Sequence, residues 1–181
     1  MSETTAPLAR LDRAVLSPAR WPLAGAAVSC ALLLGAFAFE HIGRFDPCPM
    51  CITQRWAHAG VVALGLVLTA LYALNADLKR HARRGALAMA AAFLIACGFA
   101  LQHVGVEYGW WAGPASCSAG DIGGLTIDSL TQGLSEARNV VMCDEIAWSM
   151  LGVSMAGWNA LISLAGALAS VFVAIRREMV Q

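Results

Sequence analysis

Apolar residues in this chain come in long blocks and do not alternate with polar ones. Four stretches carry no Asp, Glu, Lys or Arg for nineteen residues or more: Trp21–Phe39, Trp56–Ala76, Gly85–Val106 and Ile146–Ile175. The hydrocarbon core of a bilayer is roughly 30 Å thick, and about 20 helical residues cross it. Helix is the state such blocks must adopt, because lipid satisfies no exposed backbone group. The fourth block exceeds one crossing, so its first part is assigned to the interface and the span to Met155–Ile175. The first block is too long for a cleavable signal, and no A-x-A-like site follows it. The pattern predicts an all-α integral membrane protein, a four-transmembrane-helix bundle over residues 21–175. Residues 1–20 form a tail before it and residues 176–181 a short one after it.

Charge placement orients the bundle. Arg10, Arg13, Arg20, Lys79, Arg80, Arg83, Arg84, Arg176 and Arg177 fall on one side of four spans. The other side holds only Arg44, Arg55 and Arg138. Basic loops stay cytoplasmic, so both termini are placed inside. Two loops then face outward, a short one at about 40–52 and a long one at 107–145. Composition agrees with a membrane chain: 59% apolar and only 13% charged, against about 25% charged in soluble domains. The net charge of zero leaves no basic surface for nucleic acid.

The candidate chemistry lies in six cysteines. Cys48 and Cys51 fall in the short outer loop, Cys117 and Cys143 in the long one. Both loops lie on the oxidising side, where disulfides persist. Cys30 and Cys97 fall inside spans and read as small buried apolar side chains. The segment "GWWAGPASCSAGDIGG" is irregular and rich in Gly, and "TIDSLTQGLSEARN" spaces Ile127, Leu130 and Leu134 as a short amphipathic helix. That helix lies either in the membrane interface or on the loop's solvated surface.

Three readings of "PCPMC" compete: a staple, a metal half-site and a redox pair. A C-x-x-C disulfide closes a small strained ring that is readily reduced. Cys51 sits where a helix begins, and the partial positive charge of a helix N-terminus favours a thiolate. Arg55 is four residues on, one turn deeper on the same face, where a guanidinium supports a thiolate or a ligand carbonyl. Its plain alternative is a side chain snorkelling to the interface. Closing the Cys117–Cys143 loop would stabilise it by roughly 3–4 kcal/mol in the chain-entropy model, so a structural staple also fits. Zinc is disfavoured because Cys117 and Cys143 do not form a second close pair, and no outer histidine joins the cysteines in sequence. With both pairs on one side and none inside, electrons must leave through a membrane-dissolved carrier, for which a quinone is the obvious chemistry. Cys51 is placed to meet it, and His103, near the outer end of the third span, can hydrogen-bond its carbonyl or remain a tolerated interfacial residue.

These residues carry a resemblance. "PCPMCITQR" is similar to the P-C-x-x-C-x-x-x-R approach to the second span of the bacterial disulfide-bond formation protein B (DsbB) family. "CDEIAWSMLGVSMAGW" resembles the family's pattern after the last loop cysteine, with Trp148, Leu151, Gly152, Met155 and Trp158 in matching places. The resemblance covers nearly the whole chain after the first twenty residues, and departs from it in the Pro-Met between the first cysteines. It implies an inner-membrane protein-dithiol:quinone oxidoreductase that oxidises a periplasmic DsbA-like thiol oxidase and passes the electrons to ubiquinone or menaquinone. It further implies that Cys117–Cys143 meets DsbA, with Cys117 forming the mixed disulfide, and that Cys48–Cys51 reoxidises that pair. Cys51 would then face the quinone, with Arg55 and His103 binding it.

Overall fold

The computed structural model describes residues 17–114 and 142–176. Four helices in it are long and apolar enough to cross a membrane. They are α1 (Trp21–His41), α2 (Pro49–Leu74), α4 (Ala82–Glu107) and α5 (Met155–Ile175), with a short α3 (Ala76–Lys79) between α2 and α4. The up-and-down order gathers the end of α1, the start of α2, the end of α4 and the start of α5 at one end of the bundle, the cysteine end. Arg20, Lys79, Arg80, Arg83, Arg84 and Arg176 flank the opposite helix termini. The predicted spans are therefore observed. Helix α2 starts at Pro49, seven residues before the charge-free block does, so Cys51 lies in its first turn and Arg55 one turn deeper, as expected.

Small residues make this packing possible. Ala86, Ala96 and Ala100 of α4 and Ser163, Ser170 and Ala167 of α5 are almost fully buried, and α4 packs on α5 along this seam. Lipid is as apolar as leucine, so membrane helices associate through close backbone approach and interhelical hydrogen bonds. The α1–α2 contact is closer still at Gly65, where a Cβ would lie 2.5 Å from the Pro22 carbonyl oxygen and 2.8 Å from the Ala26 Cβ. Larger side chains, Phe93, Met89 and Val61, fill the middle of the bundle.

The stretch between the long loop and α5 is a two-stranded hairpin, β1 (Ser149–Met150) with β2 (Val153–Ser154), pairing Ser149 with Ser154 and Met150 with Val153. Its two turn residues, Leu151 and Gly152, have φ of 56° and 78°, the positive values a type I′ hairpin turn requires. Trp158 Nε1 donates to the Met150 carbonyl and ties the hairpin to α5. This segment is the first part of the fourth apolar block, the part assigned to the interface.

Cys97 is buried as expected, but Cys30 is exposed on the outer surface of α1. The correction follows from helix geometry. Successive residues are turned by about 100°, and Ser29 takes the inward position, fully buried. The amphipathic helix expected at Ile127–Leu134, and Cys117, lie outside the described residues.

Candidate redox site at the cysteine end

Cys48 is the N-cap of α2. Its sulfur accepts the backbone N–H of Cys51 at 3.2 Å, the place usually taken by Ser, Thr, Asp or Asn. Pro49 follows at N1, where a missing N–H costs nothing and the fixed φ suits the helix. Met50 turns inward and packs with Cys48, Val106 and Cys143, with Cys51 against the cluster. The Pro-Met departure thus has a local use: proline starts the helix and methionine fills the space between the two cysteine regions.

Cys48 and Cys51 are free thiols with sulfurs 3.0 Å apart, in hydrogen-bond contact. His103, carried on α4, places Nε2 3.7 Å from the Cys48 sulfur. Its ring also makes hydrogen-bond contact with the backbone of Cys143. Cys143 is disulfide-bonded and completely buried. The hydrogen bond with Cys51, then the His103 ring and the Cys51 backbone N–H, pull the Cys48 thiol down from 9.0 to about 4 against the upward push of burial. The acceptor-rich sulfur of the pair is therefore Cys48, whereas the sequence pointed to a thiolate at Cys51.

Arg55 faces α1. Its guanidinium forms an ion pair with Glu40, donates from Nη2 to the Ala36 carbonyl at 3.2 Å and lies 5.0 Å over the Phe37 ring. Arginine's planar fork suits such simultaneous engagement. On the far side, Ser154 caps α5 by accepting the Gly157 N–H at 3.1 Å and donates its hydroxyl to Glu107 at 2.5 Å.

Cys48, Cys51, Arg55 and His103 all line one cavity of about 380 Å³. Its walls are mostly apolar side chains such as Leu32, Phe39 and Ile162, with Gln54, Arg55 and His103 among its polar groups. A mostly apolar cleft with a few convergent polar groups suits a flat apolar ring bearing carbonyl oxygens. The predicted residues Cys48, Cys51, Arg55 and His103 are thus brought together. Cys143 joins them through packing.

The sequence reading missed several side chains here. Gln54 Nε2 contacts His103 Nδ1 at 2.7 Å, Asn159 Nδ2 donates to Gln54 Oε1 at 2.5 Å, and His58 Nε2 contacts Asn159 Oδ1 at 2.7 Å. His58 Nδ1 contacts Ser29 Oγ at 3.1 Å. A signal existed: Met50, Gln54, His58, Val61 and Gly65 form the buried stripe of α2. Polar residues within a span usually face the bundle interior and mark function.

Four apolar helices around a partly buried dithiol, with a disulfide-bonded cysteine packed beside it, fit a membrane-embedded thiol–disulfide oxidoreductase. The family model described as "Disulfide bond formation protein DsbB" matches residues 18–173. The chain belongs to this family, and so is a disulfide-generating, multi-pass membrane protein. It is similar to "Disulfide bond formation protein B" of Aromatoleum aromaticum, 30% identical over 159 residues, covering 82% of this chain and 88% of that one. The protein of the same name from Verminephrobacter eiseniae is 32% identical over 148 residues, covering 77% and 76%. That of Azoarcus sp. is 31% identical over 163 residues, covering 87% and 92%. No solved structure was found to match.

Proposed function

We propose that this protein reoxidises a periplasmic DsbA-like thiol oxidase from the bacterial inner membrane and delivers the electrons to ubiquinone or menaquinone. The observation that carries the reading is the packing of disulfide-bonded Cys143 into one buried cluster with Cys48 and Cys51. Two redox-capable cysteine regions in contact allow electrons to pass by thiol–disulfide exchange. In this reading a disulfide between Cys117 and Cys143 is attacked by the partner's thiolate, with Cys117 in the mixed disulfide. The reduced Cys117 and Cys143 then reduce the Cys48–Cys51 disulfide.

The remaining task is to return Cys48 and Cys51 to a disulfide. Oxidation joins the two sulfurs and releases two electrons and the single proton on Cys51, Cys48 being the sulfur held as the thiolate. A quinone in the cavity would supply the oxidising power, accepting the two electrons with that proton and a second one from solvent. Arg55 and His103 line the cavity beside Cys51 and would hold its ring there, where the apolar walls would keep water away. Arg55 is kept in place by Glu40 and Ala36 on α1.

The competing reading is a zinc centre, since folding brings His103 to the two sulfurs, all three donor atoms within 4.8 Å of one another. Zn–S bonds of about 2.3 Å in a tetrahedral site hold two sulfurs about 3.8 Å apart. The observed sulfurs are 3.0 Å apart, closer than such a site would hold them. The decisive experiment mixes reduced DsbA-like protein, a soluble ubiquinone analogue and the purified protein, and follows quinone absorbance. Wild type turns over and Cys51→Ala does not; full quinone reduction by Cys51→Ala would sink the mechanism. Elemental analysis of the same preparation separates the zinc reading.

A further inference from the structure

We propose that Ser29, His58, Asn159 and Gln54 form a one-way hydrogen-bond chain that fixes the His103 ring with its proton on Nε2, facing the Cys48 sulfur. The inference deepens the function proposed above, because it concerns a positioning system for the nucleophile of the same pair. The chain draws on all four spanning helices: Ser29 on α1, Gln54 and His58 on α2, His103 on α4 and Asn159 on α5. Ser29, Gln54, His58 and His103 are each at least nine-tenths buried. A buried polar group without a partner is costly, and none is left over among the described residues.

The direction follows from donor and acceptor counting. Asn159 Oδ1 is approached by two groups, His58 Nε2 at 2.7 Å and the Ser163 hydroxyl at 3.3 Å. As the oxygen, it accepts from both. Its Nδ2 then faces Gln54 and donates to Oε1. Gln54 is left with its Nε2 toward His103, so it donates to Nδ1. A neutral ring that accepts at Nδ1 carries its proton on Nε2, the atom next to Cys48. At the far end the Ser29 hydroxyl donates to His58 Nδ1. Every link thus points the same way, from α1 through the bundle to the sulfur. Turning both amides over would reverse every link and require Cys48 to donate to His103. The Cys51 backbone N–H already aims at that sulfur, and the helix N-terminus favours an anion there. The geometry therefore selects the chain that ends on Cys48 as acceptor. Hydrogen bonds arranged head to tail polarise one another, which strengthens the last link.

Other groups also act on Cys48. Cys51 faces it from α2, His103 and Glu107 from α4, and Asp46, Arg55 and Glu145 line the same cavity. Cys143 packs against it, and in the reduced protein used for the test its state is the same in every variant compared. None of these changes when the chain is cut at His58 or Asn159, which isolates the chain's part.

The test uses the full-length reduced protein without quinone or partner, with Cys30 and Cys97 replaced by Ala. Alkylation of Cys48 is followed by mass spectrometry across pH. Removing a hydrogen bond to a charged form raises its pKa, so His58→Leu and Asn159→Leu move the alkylation midpoint up by about one pH unit or more. His58→Gln keeps one donor and one acceptor and stays near wild type. Unshifted midpoints in Leu variants of normal helix content and melting temperature would overturn the proposal. Should those variants fail to fold, nitrogen NMR of histidine-labelled wild type decides alone, with His103→Asn assigning the signal. A ring protonated only at Nε2 supports the chain; a proton on Nδ1, alone or with Nε2, refutes it. These readouts stand apart from quinone turnover, so the chain and the proposed function can fail separately.

Discussion

At the scale of single residues, the division of labour between Cys48 and Cys51 has a measurable consequence. Cys48 sits well below its ordinary 9.0, at about 4, chiefly through the hydrogen bond with Cys51. An acid with a depressed pKa stabilises the reduced fold above the unfolded value and loses that contribution as pH falls. The window here runs from about 9 down through about 4. Within it, reducing the disulfide takes up one proton for two electrons. A tenfold change in equilibrium is about 30 mV for a two-electron couple. The Cys48–Cys51 potential is thus expected to fall by about 30 mV per pH unit between about pH 5 and 8, not the roughly 59 mV of a pair that binds two protons. Equilibration with thiol buffers, read by labelling of Cys48 and Cys51, measures the slope. At this scale the cysteines and Arg55 were legible because they are conspicuous in an apolar chain. The partner of Arg55 was not, since Glu40 lies fifteen residues earlier and on another helix. The direction of Cys30 failed for a related reason: an apolar window says that a residue is in a helix, not which way it faces.

At the scale of elements, long charge-free runs located the helices, because a bilayer demands length and apolarity more than any finer pattern. The starts needed a second signal. A charge count alone begins α2 after Arg55, whereas the C-x-x-C stretch pointed to a start near Cys51, and the backbone begins it at Pro49, where a proline at N1 and a capping sulfur satisfy the first turn. The start of α5 shows the same logic with an ordinary cap. Ser154 both accepts the Gly157 N–H and donates to Glu107, so one hydroxyl joins α5 to the end of α4. Ser154→Ala is expected to destabilise the protein by about 1–2 kcal/mol, the usual cost of a lost N-cap. Ser154→Thr, which keeps the hydroxyl, should recover most of that. Thermal unfolding in detergent distinguishes the two, and equal melting temperatures for wild type and Ser154→Ala would show that the cap carries no weight.

At the scale of the whole molecule, the site depends on where four helices meet. His103, Gln54, Asn159, His58 and Ser29 are far apart in sequence, and no local pattern couples them. Their pairing appears only once small residues let the helices approach closely. What the sequence did carry at this scale is polarity: nine of the twelve Lys and Arg residues belong to one end of the bundle and its tails, and the cysteine pair opens the other. If basic segments remain cytoplasmic, the hairpin tip is outside and α3 is inside. Both ends offer a test position, since Leu151 is 87% exposed and Leu78 is 40% exposed. With Cys30 and Cys97 replaced by Ala, a membrane-impermeant maleimide applied to intact spheroplasts should label Leu151→Cys at once. It should label Leu78→Cys only after the membrane is permeabilised. The reverse pattern would put Cys48 and Cys51 on the reducing side, out of reach of any periplasmic thiol oxidase, and the proposed direction of electron flow would fall with it.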